Sequence, residues 1–193
     1  MAVRMPEDNS RVPVPSRLGS LDVTIQSMRR RHLRSVIRIE NQVYPRPWSV
    51  GLFMSEMSLR SSRNYYIAKC HGEVVGYAGM MVAAGETHIT NIAVAPSWTR
   101  NHIATRLMIQ LMRASLAHQA HDVTLEVRAG NVSAQAMYYR FGFAPAGVRK
   151  NYYPETNEDA LIMWVRGIGS TEYANRIEAV AQRIGGSTSW ASP

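Results

Sequence analysis

Apolar and polar positions along this chain change period several times, and each change marks an element. Val23 to Gln26 alternates as a strand, which places the start of the folded part near Leu21. Leu33, Val36, Ile37, Glu40 and Val43 recur at helical spacing and stop before Pro45 and Pro47, which cannot continue a helix. Ser49 is placed to N-cap a second helix reaching about Leu59. Three β-rich runs follow, Tyr65 to Cys70, Val74 to Val82 and His88 to Val94, with His71-Gly72 and Ala83-Ala84-Gly85-Glu86 as turns, so an antiparallel meander is predicted. After Ala95-Pro96 the period becomes helical, with Ile103, Leu107, Gln110, Leu111 and Ala114 on one face. Asp122 to Arg128 reads as a strand, Ser133 to Phe141 as a helix, and Ala144 to Arg149 and Ala160 to Val165 as two short strands.

Strand, helix, strand in the second half calls for parallel neighbours joined by a crossover, so the fold class is α/β with a mixed sheet. Residues 1–20 mix Pro, Ser, Arg and Gly without periodicity and read as a disordered leader. Residues 21–166 form the domain. Residues 167–193 read as an appendage with one short amphipathic helix (Tyr173, Ile177, Val180, Ile184) followed by Gly-Gly-Ser-Thr-Ser. A chain of 193 residues, 46% hydrophobic, suits one sizeable core and is too short for two ordinary domains.

Composition narrows the classes. No run of about 18 apolar residues spans a bilayer, and the first 20 residues have no apolar core of a secretory signal. Cys70 is a lone cysteine, which excludes an internal disulfide and a multi-cysteine zinc site. The six histidines, His118 and His121 among them, show no metal-ligand spacing. A cytoplasmic protein with no membrane partner and no metal is expected. The net charge of +8 fits anionic partners such as nucleic acid, a ribosome or a phosphorylated cofactor. Twenty of the 22 basic residues are Arg, scattered outside Arg29, Arg30 and Arg31, so codon bias explains the charge equally well.

The first candidate site lies where the strand ending at Val94 passes through a loop into a helix starting near Asn101 or His102. Such a turn presents unpaired backbone N–H groups to an anion, and a pyrophosphate fits there. The loop also carries a cation, Arg100, and a small residue, Ala104. Thr99 to Ala104 resembles the Gln/Arg-x-x-Gly-x-Gly/Ala signature of the GCN5-related N-acetyltransferase (GNAT) family, preceded by the family-like strand Asn91-Ile92-Ala93-Val94. Thr99 stands for Gln/Arg and His102 for the first Gly, while Ala104 matches. A Cβ at position 102 is expected to crowd the backbone where the pyrophosphate approaches.

Further matches are ordered along most of the chain. Ile39-Glu40-Asn41-Gln42 leads to Pro47-Trp48-Ser49. Leu125-Glu126-Val127-Arg128 is followed by Asn131, Tyr138 and Phe141-Gly142-Phe143, and then by Asn151-Tyr152-Tyr153-Pro154, Glu158-Asp159-Ala160 and Met163. Together they resemble the RimI branch of that family, over about Val23 to Trp164. The resemblance implies the GNAT fold, a mixed sheet of about seven strands flanked by about four helices. It implies acetyl-CoA as acetyl donor, held by Ile92, Ala93, Val94, Thr99, Arg100, Asn101, His102, Ile103, Ala104 and Asn131, with no metal. It implies a protein N-terminus as acceptor, that of a small-subunit ribosomal protein, with weak ribosome association.

Acetyl transfer to an amine needs the amine neutral, the oxyanion stabilised and the departing thiolate protonated. Glu126 in an apolar strand is either a base or a structural carboxylate paired with Arg128, since alternation points both the same way. The resemblance gives it the base role. Tyr138 and Tyr139 diverge by about 100° on their helix, so one should be core. The resemblance makes Tyr138 the acid. Backbone N–H groups of Ile92 to Val94, at a family bulge, are the expected oxyanion donors. Asn131 is either part of a helix cap or a partner of the pantetheine arm. Trp48, Tyr152 and Tyr153 are candidates to grip a peptide, the tyrosines on a loop, with a packed turn as the alternative. Two other functions fit the chain less well: a small-amine (polyamine or antibiotic) acetyltransferase, and a non-catalytic acyl-CoA or ribosome-binding module.

Overall fold

The computed structural model describes residues 21–192, so the expected leader, residues 1–20, lies outside the described residues. The elements run β1 (Asp22–Ser27), α1 (Leu33–Val43), α2 (Val50–Ser58), β2 (Arg63–Cys70), β3 (Glu73–Ala83), β4 (Glu86–Val94), α3 (Ile103–Ala117), β5 (Asp122–Arg128), α4 (Val132–Arg140), β6 (Ala144–Tyr153), β7 (Glu158–Val165), α5 (Thr171–Gln182) and β8 (Ser187–Ser189). Among the described residues they make one eight-stranded mixed sheet in the order β6-β7-β5-β4-β3-β2-β1-β8. The α/β class and the meander β2-β3-β4 stand as expected, with one strand, β8, more than the sequence suggested and with the expected tail helix as α5. Ser49 caps α2, its Oγ accepting from Leu52 N at 3.1 Å.

Two cores lie on opposite faces of the sheet. Leu107, Met108, Leu111 and Met112 of α3 pack with Val75, Ile89, Val123 and Leu125 on one face. Val36 and Ile39 of α1 and Phe53 of α2 pack with Tyr65, Ile67 and Tyr77 on the other. Chain alternation distributes β5 between them: Val123, Leu125 and Val127 are buried, while Thr124, Glu126 and Arg128 turn to the opposite face.

The feature that creates the site is a failure of pairing. Strands β4 and β5 are parallel neighbours from Glu86↔Asp122 to Ile89↔Leu125, where their register ends. At the same point β4 bulges against β3: Met80 pairs with Ile89 and Gly79 with Asn91, leaving Thr90 extra. Gly79 is required opposite the bulge, because a Cβ there would lie 2.2 Å from the Tyr65 ring and 2.6 Å from Asn91 Oδ1. The two strands diverge beyond it and open a wedge.

The tail adds to the sheet. Tyr173 and Ile177 of α5 are buried in the α3-side core, and β8 runs parallel to β1, with Thr188 beside Val23. The Gly-Gly-Ser-Thr-Ser stretch, read as an appendage, is therefore the pairing partner of an otherwise free edge. Its anchor is Arg106, fully buried on α3: Nε donates to Thr188 Oγ1 at 2.8 Å, Nη2 to Gly185 O at 2.5 Å and Nη1 to Asn101 O at 3.1 Å.

Candidate active site

The wedge is a cleft of about 1120 Å³ between β4 and β5, walled by α1, by the first turn of α3, by α4 and by the end of β6. It brings together most of the residues singled out from the sequence: Trp48, Ile92 to Val94, Thr99, Arg100, His102 to Ala104, Glu126, Asn131, Tyr138, Tyr152 and Tyr153.

At one end lies the loop before α3. Pro96–Trp98 forms a single 3-10 turn, Thr99 Oγ1 donates to Pro96 O at 3.0 Å, and Asn101 Nδ2 donates to Thr99 O at 3.1 Å. Asn101 thus shapes the loop through its own side chain. The N-cap of α3 is His102, in the left-handed region at φ 57° and ψ 19°, and Arg100 is left-handed too, at φ 63°. A glycine would take that conformation freely; a non-glycine residue bears roughly 1–2 kcal/mol for it. The chain thus takes at position 102 a backbone conformation that favours glycine without having one, and the first amides of α3 remain free of intrahelical partners. The crowding expected at position 102 is thus a matter of the imidazole, not of a changed chain path. That imidazole has its pKa lowered, first by burial and then by Arg106 and Arg140, which disfavours its cationic form. Ile103 is a core side chain, so only its amide is available to a ligand. The loop residues fit a pyrophosphate through backbone N–H groups and Arg100.

Along the wedge, β4 shows its free edge. Ala95 N donates to Val75 O at 2.9 Å and Ala93 pairs with Tyr77, so Ala93 turns its polar backbone to β3. Ile92 and Val94 alternate with it and face the gap. The expected set of three oxyanion donors reduces to these two. The Ile92 carbonyl already accepts from Tyr44 Oη at 3.1 Å.

The polar end holds the arrangement that sequence reasoning missed. Glu126 does not pair with Arg128. Its Oε2 lies 2.5 Å from His88 Nε2 and its Oε1 3.2 Å from Arg149 Nη2, while its side chain is 10% exposed against 30% for His88. The hydrogen bond from His88, aided by the Arg149 charge against the opposing effect of burial, holds the carboxyl below the usual carboxylate range. Glu126 is therefore ionised and accepts, so His88 Nε2 carries the hydrogen. His88 lies 38 positions earlier in the chain, and only the parallel β4–β5 register could have revealed the pair. Arg128 instead pins the β6–β7 turn: it bonds Glu155 at 2.7 Å, Glu158 at 3.1 Å and Thr156, and its guanidinium stacks 3.9 Å from the Tyr153 ring centroid.

Of the two tyrosines of α4 one is core, as expected: Tyr138 is buried, 8% exposed, with its ring 5.9 Å from Phe143 while it also lines the cleft, and Tyr139 is 47% exposed. Burial pushes the Tyr138 phenol upward, so it stays protonated and able to donate. Asn131 Oδ1 accepts from Ala134 N at 3.1 Å, which makes it the cap of α4 while it borders the cleft. Tyr152 and Tyr153 end strand β6 and do not lie on a loop; they meet edge to face at 5.1 Å. Trp48 packs on Phe53 at 5.3 Å. Its N–H donates to Glu40 Oε1 at 2.9 Å, and Glu40 Oε2 is buried without a partner among the described residues. Burial raises the Glu40 pKa to about 7, so this carboxyl is half protonated near neutrality.

Comparison with known proteins gives the geometry a context. The acetyltransferase (GNAT) family profile matches residues 33–143. The ribosomal protein bS18-alanine N-acetyltransferase of Escherichia coli is 34% identical over 142 residues, covering 72% of this chain and 95% of that protein. An N-alpha-acetyltransferase RimI of Mycobacterium tuberculosis is 31% identical over 148 residues, covering 73% of this chain and 90% of its own length. The crystal structure of the ribosomal-protein-S18-alanine N-acetyltransferase from Escherichia coli superposes with a TM-score of 0.69 at 32% identity, over 75% of this chain and 94% of that one.

Proposed function

Because this chain belongs to the acetyltransferase (GNAT) family, we propose that it moves the acetyl group of acetyl-CoA onto the N-terminal α-amine of a protein, with a small-subunit ribosomal protein as substrate. The observation that carries this reading is the wedge: an anion-binding helix start at one end, two free backbone edges in the middle, and an ionised carboxylate with a histidine at the other.

Acetyl-CoA supplies an acetyl thioester. The α3 amides and Arg100 hold its pyrophosphate, and the Ile92 and Val94 edge offers N–H groups to the carbonyl oxygen. Glu126, with His88, forms the basic end of the cleft that relieves the amine of its proton. Tyr138, fixed in its protonated form, gives a proton to the departing thiolate. An α-amine needs only modest help: its reference pKa is near 8, so roughly one in ten is neutral at pH 7, against on the order of one in a few thousand for a lysine side chain. Trp48, Tyr152 and Tyr153 flank the open side as surfaces for the first residues of a peptide.

A polyamine would need uncommitted carboxylates. Of the carboxylates in the cleft, however, Glu126 and Glu155 are ion-paired, and Glu40 is buried against the Trp48 backbone with its pKa raised to about 7, which disfavours its charged form. The test is a thiol-release assay with acetyl-CoA on a peptide having a free N-terminus, the same peptide blocked and carrying only lysine amines, and spermidine. Turnover of the free N-terminus far above the other two is expected. Equal rates on lysine peptides, or turnover of spermidine alone, would overturn the α-amine reading; binding of acetyl-CoA with no turnover would replace it with a non-catalytic module.

A further inference from the structure

We infer that His88, not Glu126, is the group that takes the proton from the substrate ammonium, and that Glu126 is its positioning carboxylate. The inference rests on the function proposed above and assigns one of its steps to an atom, His88 Nδ1.

Three observations lead there. Both Glu126 oxygens are engaged, Oε2 with His88 at 2.5 Å and Oε1 with Arg149 at 3.2 Å, and the side chain is 10% exposed. A carboxylate so held is a poor proton acceptor, and a substrate nitrogen would have to displace one of two bonded partners to reach it. His88 is the more open member of the pair, at 30% exposed, and it lines the cleft. Its Nε2 is committed to Glu126, and no second side-chain hydrogen bond forms to its ring among the described residues. With Nε2 carrying the hydrogen, the lone pair sits on Nδ1, the ring atom on the other side from the carboxylate. A histidine fixed by a buried carboxylate through one nitrogen and free at the other is the arrangement by which general bases are oriented.

The placement along β4 supports the role. His88 lies two residues before the bulge at Thr90, and Ile92 two residues beyond it on the same strand. The base and the oxyanion edge are thus parts of one rigid element, on either side of the point where β5 leaves. The charged and titratable groups that share the cleft are Glu126 and Arg128 on β5, Arg149, Tyr152 and Tyr153 on β6, Glu155 after it, Glu40 on α1 with Tyr44 and Arg46 beyond it, Tyr138 and Arg140 on α4, and Arg100 and His102 at the start of α3. Arg128 is neutralised by Glu155 and Glu158, and Arg149 by Glu126. Glu40 is bound to the Trp48 backbone on the far wall.

The protons balance as follows. The substrate ammonium gives one proton to His88 Nδ1, and the imidazolium formed is stabilised by Glu126 and releases that proton to solvent at the cleft mouth. The freed nitrogen lone pair forms the C–N bond as the thioester C–S bond breaks. The nitrogen's second proton leaves as the amide forms and replaces the one Tyr138 gives to sulfur, so the products are amide, thiol and one proton.

The test uses the full chain and a peptide with a free N-terminus. Wild-type turnover of that peptide is the control for the proposed function: its absence would sink that function and this inference together. With turnover established, His88→Gln keeps a hydrogen bond to Glu126 but cannot take the proton. Its kcat/KM should fall roughly 10²-fold at pH 7, with the deficit shrinking above about pH 8, where the substrate amine loses its proton unaided. Acetyl-CoA affinity should be unchanged. Imidazole added to His88→Ala should restore part of the rate. A second readout needs no turnover: histidine-selective nitrogen NMR of the free protein should show the His88 ring protonated at Nε2 and bare at Nδ1. A deficit equal at every pH, no rescue, or the opposite tautomer would return the base role to Glu126.

Discussion

The two ends of the cleft are opposites in how sequence relates to geometry. At the α3 end the family pattern is broken, with Thr99 and His102 in place of its Gln/Arg and Gly, yet His102 takes a left-handed backbone, a conformation that glycine adopts freely. At the β5 end the pattern Leu125-Glu126-Val127-Arg128 is intact, yet the partners of its charged residues are not those that the pattern suggests. A motif can thus be lost while its chain path survives, because a helix start binds through backbone amides that every residue has. A motif can also be kept while its chemistry shifts, because side chains act through neighbours from other strands.

Mutations sharpen this contrast, and the largest effect is expected where side chains act. Glu126→Gln should lower kcat by 10² or more without weakening acetyl-CoA binding, as measured by steady-state kinetics beside a cofactor titration. If His88 and Glu126 work as one unit, the double variant should lose little more than either single variant. Unchanged kcat with lost thermal stability would make Glu126 structural.

Next in size is Tyr138→Phe, which removes only a hydroxyl and should slow thioester cleavage by about 10-fold or more. Tyr139→Phe, on the exposed side of α4, should stay within a factor of about two, since surface changes rarely matter. A reversal of the two would transfer the acid role to the exposed ring.

Glu40 gives a stability effect with a defined sign. Its pKa is raised to about 7 in the folded protein from the ordinary 4.5 of a glutamate, by burial. A raised carboxyl pKa means that its contribution to stability is fully present below about pH 4.5 and is lost as pH rises through about 7. Glu40→Gln should therefore stabilise the protein at pH 8, by on the order of 1 kcal/mol, and gain progressively less as pH falls toward 5. Thermal unfolding across that range measures it; a gain that grew with acidity would contradict the buried, unpartnered carboxyl.

The smallest effect is expected where the backbone acts. His102→Gly relieves the left-handed strain and the bulk of the imidazole, so acetyl-CoA should bind a few-fold tighter by titration. Relief of that strain and the extra chain freedom of glycine in the unfolded state act on stability in opposite directions, so melting temperature is a poor guide to this variant. Weaker binding would show that the imidazole itself contacts the cofactor.

Much of the fold was legible because its signals are local. Alternation located β1 and β5, β-rich runs between turn residues located β2 to β4, Pro45 and Pro47 ended α1, and Ser49 announced α2. The site was legible only where a single segment builds it, as in the loop from Thr99 to Ala104. The His88–Glu126 pair joins residues 38 positions apart through a register that no local pattern encodes. The acids that hold Arg128 come from a turn 27 and 30 positions away, so its neighbour Glu126 looked like its partner. Tyr138 and Tyr139 could be separated by helix geometry but not assigned, since which face is buried depends on Phe143 and β5. The short β8 was unreadable as a strand because Ser and Thr beside two glycines carry no apolar alternation; it exists because β1 offers it an edge.

The guanidinium of Arg106 ties the end of the chain to its middle, and this sets a timetable for folding. Proteins are made from the N-terminus, so α3 and the loop before it are synthesised long before Gly185 and Thr188. Until those residues arrive, Arg106 can bond Asn101 O but has neither tail partner, and burying it so poorly satisfied is costly. The first turn of α3, where the cofactor loop ends, therefore reaches its final state only when the segment that carries Gly185 and Thr188 has also left its site of synthesis. A nascent chain that already carries β4, β5 and every residue of the cleft is still an unfinished enzyme.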